Sequence, residues 1–373
     1  MSGLYLHIPF CQRKCIYCNF YSVAKLELAD AFISALALEI KEAQQWFPRT
    51  KFKSLYLGGG TPTLLSIIQL EKIKTLLDSH FSFTENIEFT IEANPEQLTR
   101  SYLQALQKLG VNRLSIGVQS FNNKILGTLR RLHTAEQAHE AIEHAVEAGF
   151  NNISIDLIYG IAEREANTWR QELQSAFALP ITHLSAYSLT VEENTILYQQ
   201  LRKNKLRPID DTVSLRDYAE LQQAIVKAGF RQYEVSNYCK EGYHSRHNSI
   251  YWNSTPYLGL GPAAHSFTGT VRRWNLSHLE HYISNLQTHN SYWEAEQLSL
   301  ENRYNEYIML GLRTEKGVNL QYIKSNFGEK YYKMLQQKLL DISSNFYQQQ
   351  DNQIKLTAAG LLLADSIAAT LFV

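Results

Sequence analysis

The sequence predicts an α/β protein: an open, partial (β/α)6 barrel of parallel strands, followed by a smaller, mainly helical, winged-helix-like domain. Three observations carry this. Short apolar runs alternate with stretches of helical periodicity through the first half, with no hairpin signal between them. Polar and glycine-rich segments recur where a strand ends. At 373 residues the chain exceeds what one hydrophobic core usually serves, so a second unit is expected.

In chain order, Leu4 to His7 reads as a strand that delivers a loop carrying Cys11, Cys15 and Cys18. A helix from about Asp30 to Trp46 follows, with Phe32, Leu36, Ile40 and Ala43 at helical spacing. The second strand, Phe52 to Leu57, runs into Gly58-Gly59-Gly60-Thr61-Pro62-Thr63. A helix from about Ser66 to Ser79 leads to the third strand, Glu88 to Ile91, which ends at Glu92-Ala93-Asn94-Pro95-Glu96. Thr99 opens the next helix and Gly110 closes it. The fourth strand, Arg113 to Val118, ends at Gln119-Ser120-Phe121, and Thr134 with Gln137 forms a capping box for the helix that Gly149 terminates. Strand five, Asn152 to Leu157, carries Asp156; a helix around Glu165 to Phe177 precedes strand six, His183 to Leu189. Six strand–helix units are two short of a closed eight-stranded barrel, so the barrel is open.

Three segments follow: the barrel over 1–189, a looser continuation over 190–292 and a C-terminal unit over 293–373. The continuation holds a helix near Leu215 to Ala228, a strand from Phe230 to Ser236, and the histidine- and aromatic-rich run from Tyr243 to Trp252. A Gly/Pro loop, Gly259 to Ser266, comes next. The last segment reads as three helices, a ribbon around Phe346 to Leu356, and a final apolar helix from Thr357.

Charge excludes some functions. Lys plus Arg (36) balances Asp plus Glu (36), so no field invites nucleic acid or anionic lipid. The C-terminal segment lacks a DNA-binding footprint, since Ser291 to Val373 holds 8 basic and 9 acidic residues. No basic leader and no run of 18 apolar residues is present, so a soluble, cytoplasmic protein is expected.

Three of the four cysteines fall within eight residues, close enough to converge on one metal centre. Such a loop suits an iron–sulfur cluster with one open iron, or zinc completed by a nearby histidine such as His7. Consecutive glycines after a strand expose backbone to a close ligand. The cysteine loop, the glycine run, Glu92, Gln119 and Asp156 all sit at or near C-terminal strand ends, the edge where parallel α/β sheets bind ligands.

The spacing C-x-x-x-C-x-x-C resembles the mark of the radical S-adenosylmethionine (SAM) superfamily. Tyr5 to Cys11, Gly58 to Thr63, Glu92 to Pro95, Gly117 to Phe121 and Asp156 to Gly160 are similar to segments of the oxygen-independent coproporphyrinogen dehydrogenase (HemN) family. The resemblance implies a barrel of radical SAM type and a [4Fe–4S] cluster on Cys11, Cys15 and Cys18. It places Tyr5, Gly59 and Glu92 at the SAM on the cluster, and Tyr17, Gly60, Thr61, Gln119, Arg131 and Asp156 at a second SAM site.

Two departures point to one branch. The dehydrogenase branch has another cysteine where this chain has Phe20, and an N-terminal extension before the cluster motif. His247-Asn248-Ser249-Ile250-Tyr251-Trp252 is similar to the HNxxYW haem-binding motif of the HemW-type haem chaperones. The resemblance therefore implies a protein that binds haem, with His247 as its ligand and His244 and His265 as rivals. It would hand haem to haem-requiring apoproteins, respiratory enzymes at the membrane above all, which also implies peripheral membrane association. The alternative is oxidative decarboxylation of coproporphyrinogen III. No catalytic side chain is expected in the carrier.

Overall fold

Six strands lie side by side in chain order, all parallel: β1 (Ser2–Ile8), β2 (Lys51–Gly59), β3 (Ser82–Ala93), β4 (Arg113–Gln119), β5 (Ile153–Tyr159) and β6 (His183–Ser188). The computed structural model describes residues 2–162, 164–165, 167–206 and 210–373. Helices α1 (Ala29–Ala43), α2 (Ile67–His80), α3 (Arg100–Lys108), α4 (Asn123–Thr128), α5 (Ala135–Glu147) and α6 (Thr168–Ala178) fill the connections. Capping boxes at Ser66/Gln69 and Thr134/Gln137 start α2 and α5. This is the expected parallel α/β array, with boundaries shifted by a few residues.

Each barrel strand is two-faced. On β4, Leu114, Ile116 and Val118 are fully buried in the main apolar core, while Arg113, Ser115, Gly117 and Gln119 take the other face. β3 alternates Phe89 and Ile91 with Thr90 and Glu92; β5 alternates Ile155 and Leu157 with Ser154 and Asp156. The helices cover the apolar face through side chains such as Phe32, Leu36 and Ile40. The polar face turns inward, and that alternation builds the cavity.

The sheet is wider than six strands. Beyond β6 come α7 (Ile196–Arg202) and α8 (Asp211–Lys227), then the hairpin β7 (Arg231–Glu234) and β8 (Asn237–Cys239), with β8 antiparallel to β6. The histidine-rich run forms the short helix α9 (Arg246–Trp252). β9 (Tyr257–Leu260) then pairs parallel to β1 on the opposite edge. β10 (His265–Phe267), β11 (Val271–Asn275) and, after α10 (Leu279–Gln287), β12 (Trp293–Gln297) extend that side. Among the described residues the sheet has twelve strands, because 190–292 adds five across both edges and β12, from the start of the segment expected as the C-terminal unit, adds the last; 190–292 shares the barrel's core through Leu258, Leu260, Leu279 and Tyr282.

The C-terminal unit has its own core around Ile308, Leu312, Ile323, Leu335, Ile354 and Leu371. It comprises α11 (Leu300–Leu312), β13 (Val318–Asn319), α12 (Leu320–Phe327), α13 (Glu329–Leu339), the ribbon β14 (Tyr347–Gln350) and β15 (Gln353–Leu356), α14 (Ala358–Leu361) and α15 (Ala364–Leu371). The single helix expected from Thr357 breaks after Leu361, and the break faces the barrel. Backbone bonds Val235 N to Arg313 O (2.9 Å) and Glu315 N to Tyr233 O (3.0 Å) dock the unit onto β7.

Candidate functional site

The cysteine loop leaves β1 at Ile8 and is held at both ends. Phe10 is buried edge-on against Phe32, at 5.6 Å between ring centroids, and Cys11 N donates to Val23 O at 3.0 Å. Ile16 packs in a small apolar cluster with Ile125, Leu129, Ile158 and Leu197. Gly60 N and Thr61 N donate to Ile8 O (2.9 Å) and Phe10 O (2.7 Å), so the glycine run and the cysteine loop brace each other. A Cβ on Gly60 would lie 2.5 Å from Phe10 O, and one on Gly59 (φ 102°) 2.4 Å from the His7 ring. Only glycine permits this approach.

All three cysteines of the loop are free, half-buried and on the wall of one cavity of about 1200 Å³. Cys239 lies apart, buried on β8, paired in register with His183. Burial raises the Cys11 and Cys18 thiols, with Thr61 and Ser22 working against the shift at Cys11. Arg131 Nη1 donates to Cys15 Sγ at 3.4 Å, while its Nη2 holds Asn94 Oδ1 and Gly117 O, both at 2.6 Å. Its Nε is buried without a partner. Among the described residues, no three His, Cys, Asp or Glu converge at single-ion spacing. A cubane spreads its thiolates over separate irons and needs no such convergence. Three soft donors on one loop, with a cation against one sulfur, fit a cluster.

The strand ends complete the wall. Glu92 Oε1 accepts from Tyr56 OH at 2.7 Å and Oε2 from Gly59 N at 2.9 Å. Burial pushes its carboxyl up to about 7, with Asp156 adding to the shift. Burial likewise pushes Asp156 up to about 6, opposed by Ser185 and Arg113. Gln119 turns into the cavity at φ 68°, the left-handed region. The structure thus brings Tyr17, Gly59, Gly60, Thr61, Glu92, Gln119, Arg131 and Asp156 to one cavity with the cysteines. Tyr5 stands behind this wall, its hydroxyl 3.2 Å from His7 Nδ1 and its ring 6.0 Å from that of Tyr56.

His247 is placed otherwise than the sequence led us to expect. Its ring is 1% exposed and stacks on Tyr56, with 4.9 Å between centroids. Nδ1 lies 2.8 Å from Ser54 Oγ and Nε2 3.0 Å from Tyr251 OH, so both nitrogens are engaged. Burial lowers its pKa to about 3, which keeps the imidazole neutral. The cavity wall instead receives Asn248 and Trp252 from the same helix. His244 and His265 are exposed, against Tyr233 and Trp274.

Sequence reasoning did not single out Tyr56, Asn94, Arg113, Tyr187 or the stretch Leu361–Ser366 around the break between α14 and α15, all on the cavity wall. The period-two placement of polar residues along the strands was the signal for Tyr56 and Arg113.

Comparisons with known proteins identify the family and the fold. Residues 5–173 match the radical SAM superfamily and residues 298–363 the HemN C-terminal domain. The chain is 33% identical to heme chaperone HemW of Lactococcus lactis subsp. lactis (strain IL1403), over 98% of this chain and 96% of that one. It is 32% identical to heme chaperone HemW of Bacillus subtilis (strain 168), over 98% of each. The crystal structure of Escherichia coli coproporphyrinogen III oxidase (HemN), described as a radical SAM enzyme, superposes with a TM-score of 0.87. That match is at 23% identity and covers 100% of this chain and 90% of that one, so it speaks to fold alone. The six-stranded barrel, the cysteine loop and the full-length similarity together show that the chain belongs to the radical SAM superfamily and, within it, to the HemN-like family of HemW haem chaperones.

Proposed function

We propose that this protein is a haem carrier: it binds haem in the cavity beside a [4Fe–4S] cluster and SAM, and passes the haem to apoproteins, respiratory enzymes among them. One observation carries the reading. A single cavity of about 1200 Å³ collects the cysteine loop, the strand-end carboxylates and two residues of the HNxxYW-like helix, Asn248 and Trp252. Pockets for one small ligand usually span about 300–1000 Å³, so this one has room for more than SAM.

The residues present suit the cofactors. Cys11, Cys15 and Cys18 would hold the cluster, which with SAM supplies one-electron reductive chemistry at the sulfonium. Glu92 and Asp156 offer carboxylates to ribose hydroxyls and to cationic SAM, and Gly59 and Gly60 let backbone approach it. Tyr5 backs the first SAM position. Tyr17, Thr61, Gln119 and Arg131 flank a second, and Arg131 suits a carboxylate through its fork. Haem is proposed to lie against Trp252 and Asn248, with His247 holding their helix in place by its bonds to Ser54 and Tyr251. Phe20, 69% exposed on the same wall, adds an apolar side chain beside the cluster loop.

The test is paired. Protein purified without oxygen is titrated with haem, following the Soret band, and incubated with coproporphyrinogen III and reductant. We expect stoichiometric haem binding, weakened tenfold or more in Trp252→Ala, and no conversion of the porphyrinogen. Conversion without haem binding would establish the dehydrogenase reading instead.

A further inference from the structure

We propose that Arg113 is the anion receptor of the cavity floor, where its guanidinium takes a carboxylate of the bound ligand. This rests on the reading that the cavity holds SAM and haem, both of which carry carboxylates. Arg113 opens β4 opposite Thr90, two residues before the level of Glu92, so its backbone stands about 7 Å below that carboxylate along the strand direction. It is 1% exposed, yet it reaches the cavity wall. Its Nε has no hydrogen-bond partner, and among the described residues no carboxylate lies within 4.0 Å of the group.

Among the described residues, the neighbouring carboxylates do not contact the guanidinium. Glu92 already accepts from Tyr56 OH and Gly59 N, and burial pushes it up to about 7. Asp156 is pushed up to about 6 by burial. Arg113 opposes the effect of burial at both carboxyls, but neither comes within ion-pair distance of its guanidinium. His183 and His247 face the same guanidinium; burial first and Arg113 second lower their pKa values, so both stay neutral. A buried cation without a contacting anion is costly, and a bidentate carboxylate offsets that cost.

The experiment compares ligands with and without the carboxylate. Cluster-loaded wild type, Arg113→Met and Arg113→Lys are each titrated with haem, haem dimethyl ester, SAM and decarboxylated SAM. We expect Arg113→Met to weaken haem or SAM tenfold or more and to leave its carboxylate-free counterpart unchanged. The affected pair identifies whether a haem propionate or the SAM carboxylate is the anion. Arg113→Lys, which keeps the charge and loses the fork, should give a smaller loss on the same pair. If Arg113→Met does not fold, that Arg113→Lys difference decides. Equal affinities across the variants, or equal losses within a pair, overturn the proposal. If wild type binds neither haem nor SAM, the carrier reading itself fails and this inference falls with it.

Discussion

Glu92 on β3 and Asp156 on β5 show how a residue's place in the barrel sets its chemistry. Both project inward from strands whose alternate residues are fully apolar, and burial lifts both above the carboxylate range, to about 7 and about 6. A bound sulfonium or ammonium would favour their ionised forms and lower both values. SAM affinity should then rise with pH from about 5 to 7, as the two carboxyls of the free protein deprotonate, and level off above; Glu92→Gln should flatten that rise. Calorimetry at pH 5.5, 6.5 and 7.5 checks it, and a pH-independent affinity in wild type contradicts it. For stability the sign is opposite. A carboxyl whose folded pKa is raised favours folding when protonated, so its contribution is present below about 4.5 and is lost as pH climbs through about 7. The residue level was legible in the sequence wherever polar and sulfur groups concentrated in a short motif: Cys11, Cys15, Cys18, Gly59, Gly60 and Glu92 line one cavity at the strand ends. Arg113 was not, because a charged residue at a strand start reads as a surface end until the barrel closes around it.

At the scale of elements, the cysteine loop and α9 carry separate predictions. The loop is braced through Phe10, Ile16 and the glycine run, none of which needs the thiols. Cys11→Ala, Cys15→Ala and Cys18→Ala should each abolish a cluster of about four irons while the apoprotein's melting changes little. Cys239→Ala should keep its iron, measured by metal analysis after anaerobic reconstitution; loss there would remove the open iron and the SAM reading with it. For α9, His247→Ala deletes a buried ring that stacks on Tyr56 and leaves Ser54 and Tyr251 without their partner. We expect about 2–4 kcal/mol lower stability in urea. The Soret position of whatever haem still binds should not change. A shifted Soret band would show His247 on the iron and would require α9 to open. The motif was legible in the sequence, but its facing was not: a seven-residue helix places neighbouring residues about 100° apart, and only the packing of β1 and β2 decides that His247 turns inward while Asn248 and Trp252 turn to the cavity.

The whole molecule joins two cores through a thin seam. The barrel core and the C-terminal core are separate clusters, connected by the backbone bonds at Val235 and Glu315 and by the Arg272–Glu306 ion pair between β11 and α11. The break between α14 and α15 lays Leu361, Leu362 and Leu363 along the cavity, so the second unit serves as part of its wall. The six parallel strands were readable from the repeating strand–helix rhythm. The outer strands were not, because β9 reaches β1 from a distant part of the chain and β10 to β12 are short, so the pairing is tertiary. The functional account predicts that ligand binding, not catalysis, is what the cavity is for. Its most direct test loads the anaerobic, cluster-containing protein with haem, separates free haem, and adds a haem-free respiratory cytochrome. The account predicts that the cytochrome acquires its own Soret spectrum and activity as the carrier's haem band falls, and that Trp252→Ala transfers far less. Haem that stays on the protein, or reaches the cytochrome no faster than from albumin-bound haem, would contradict it.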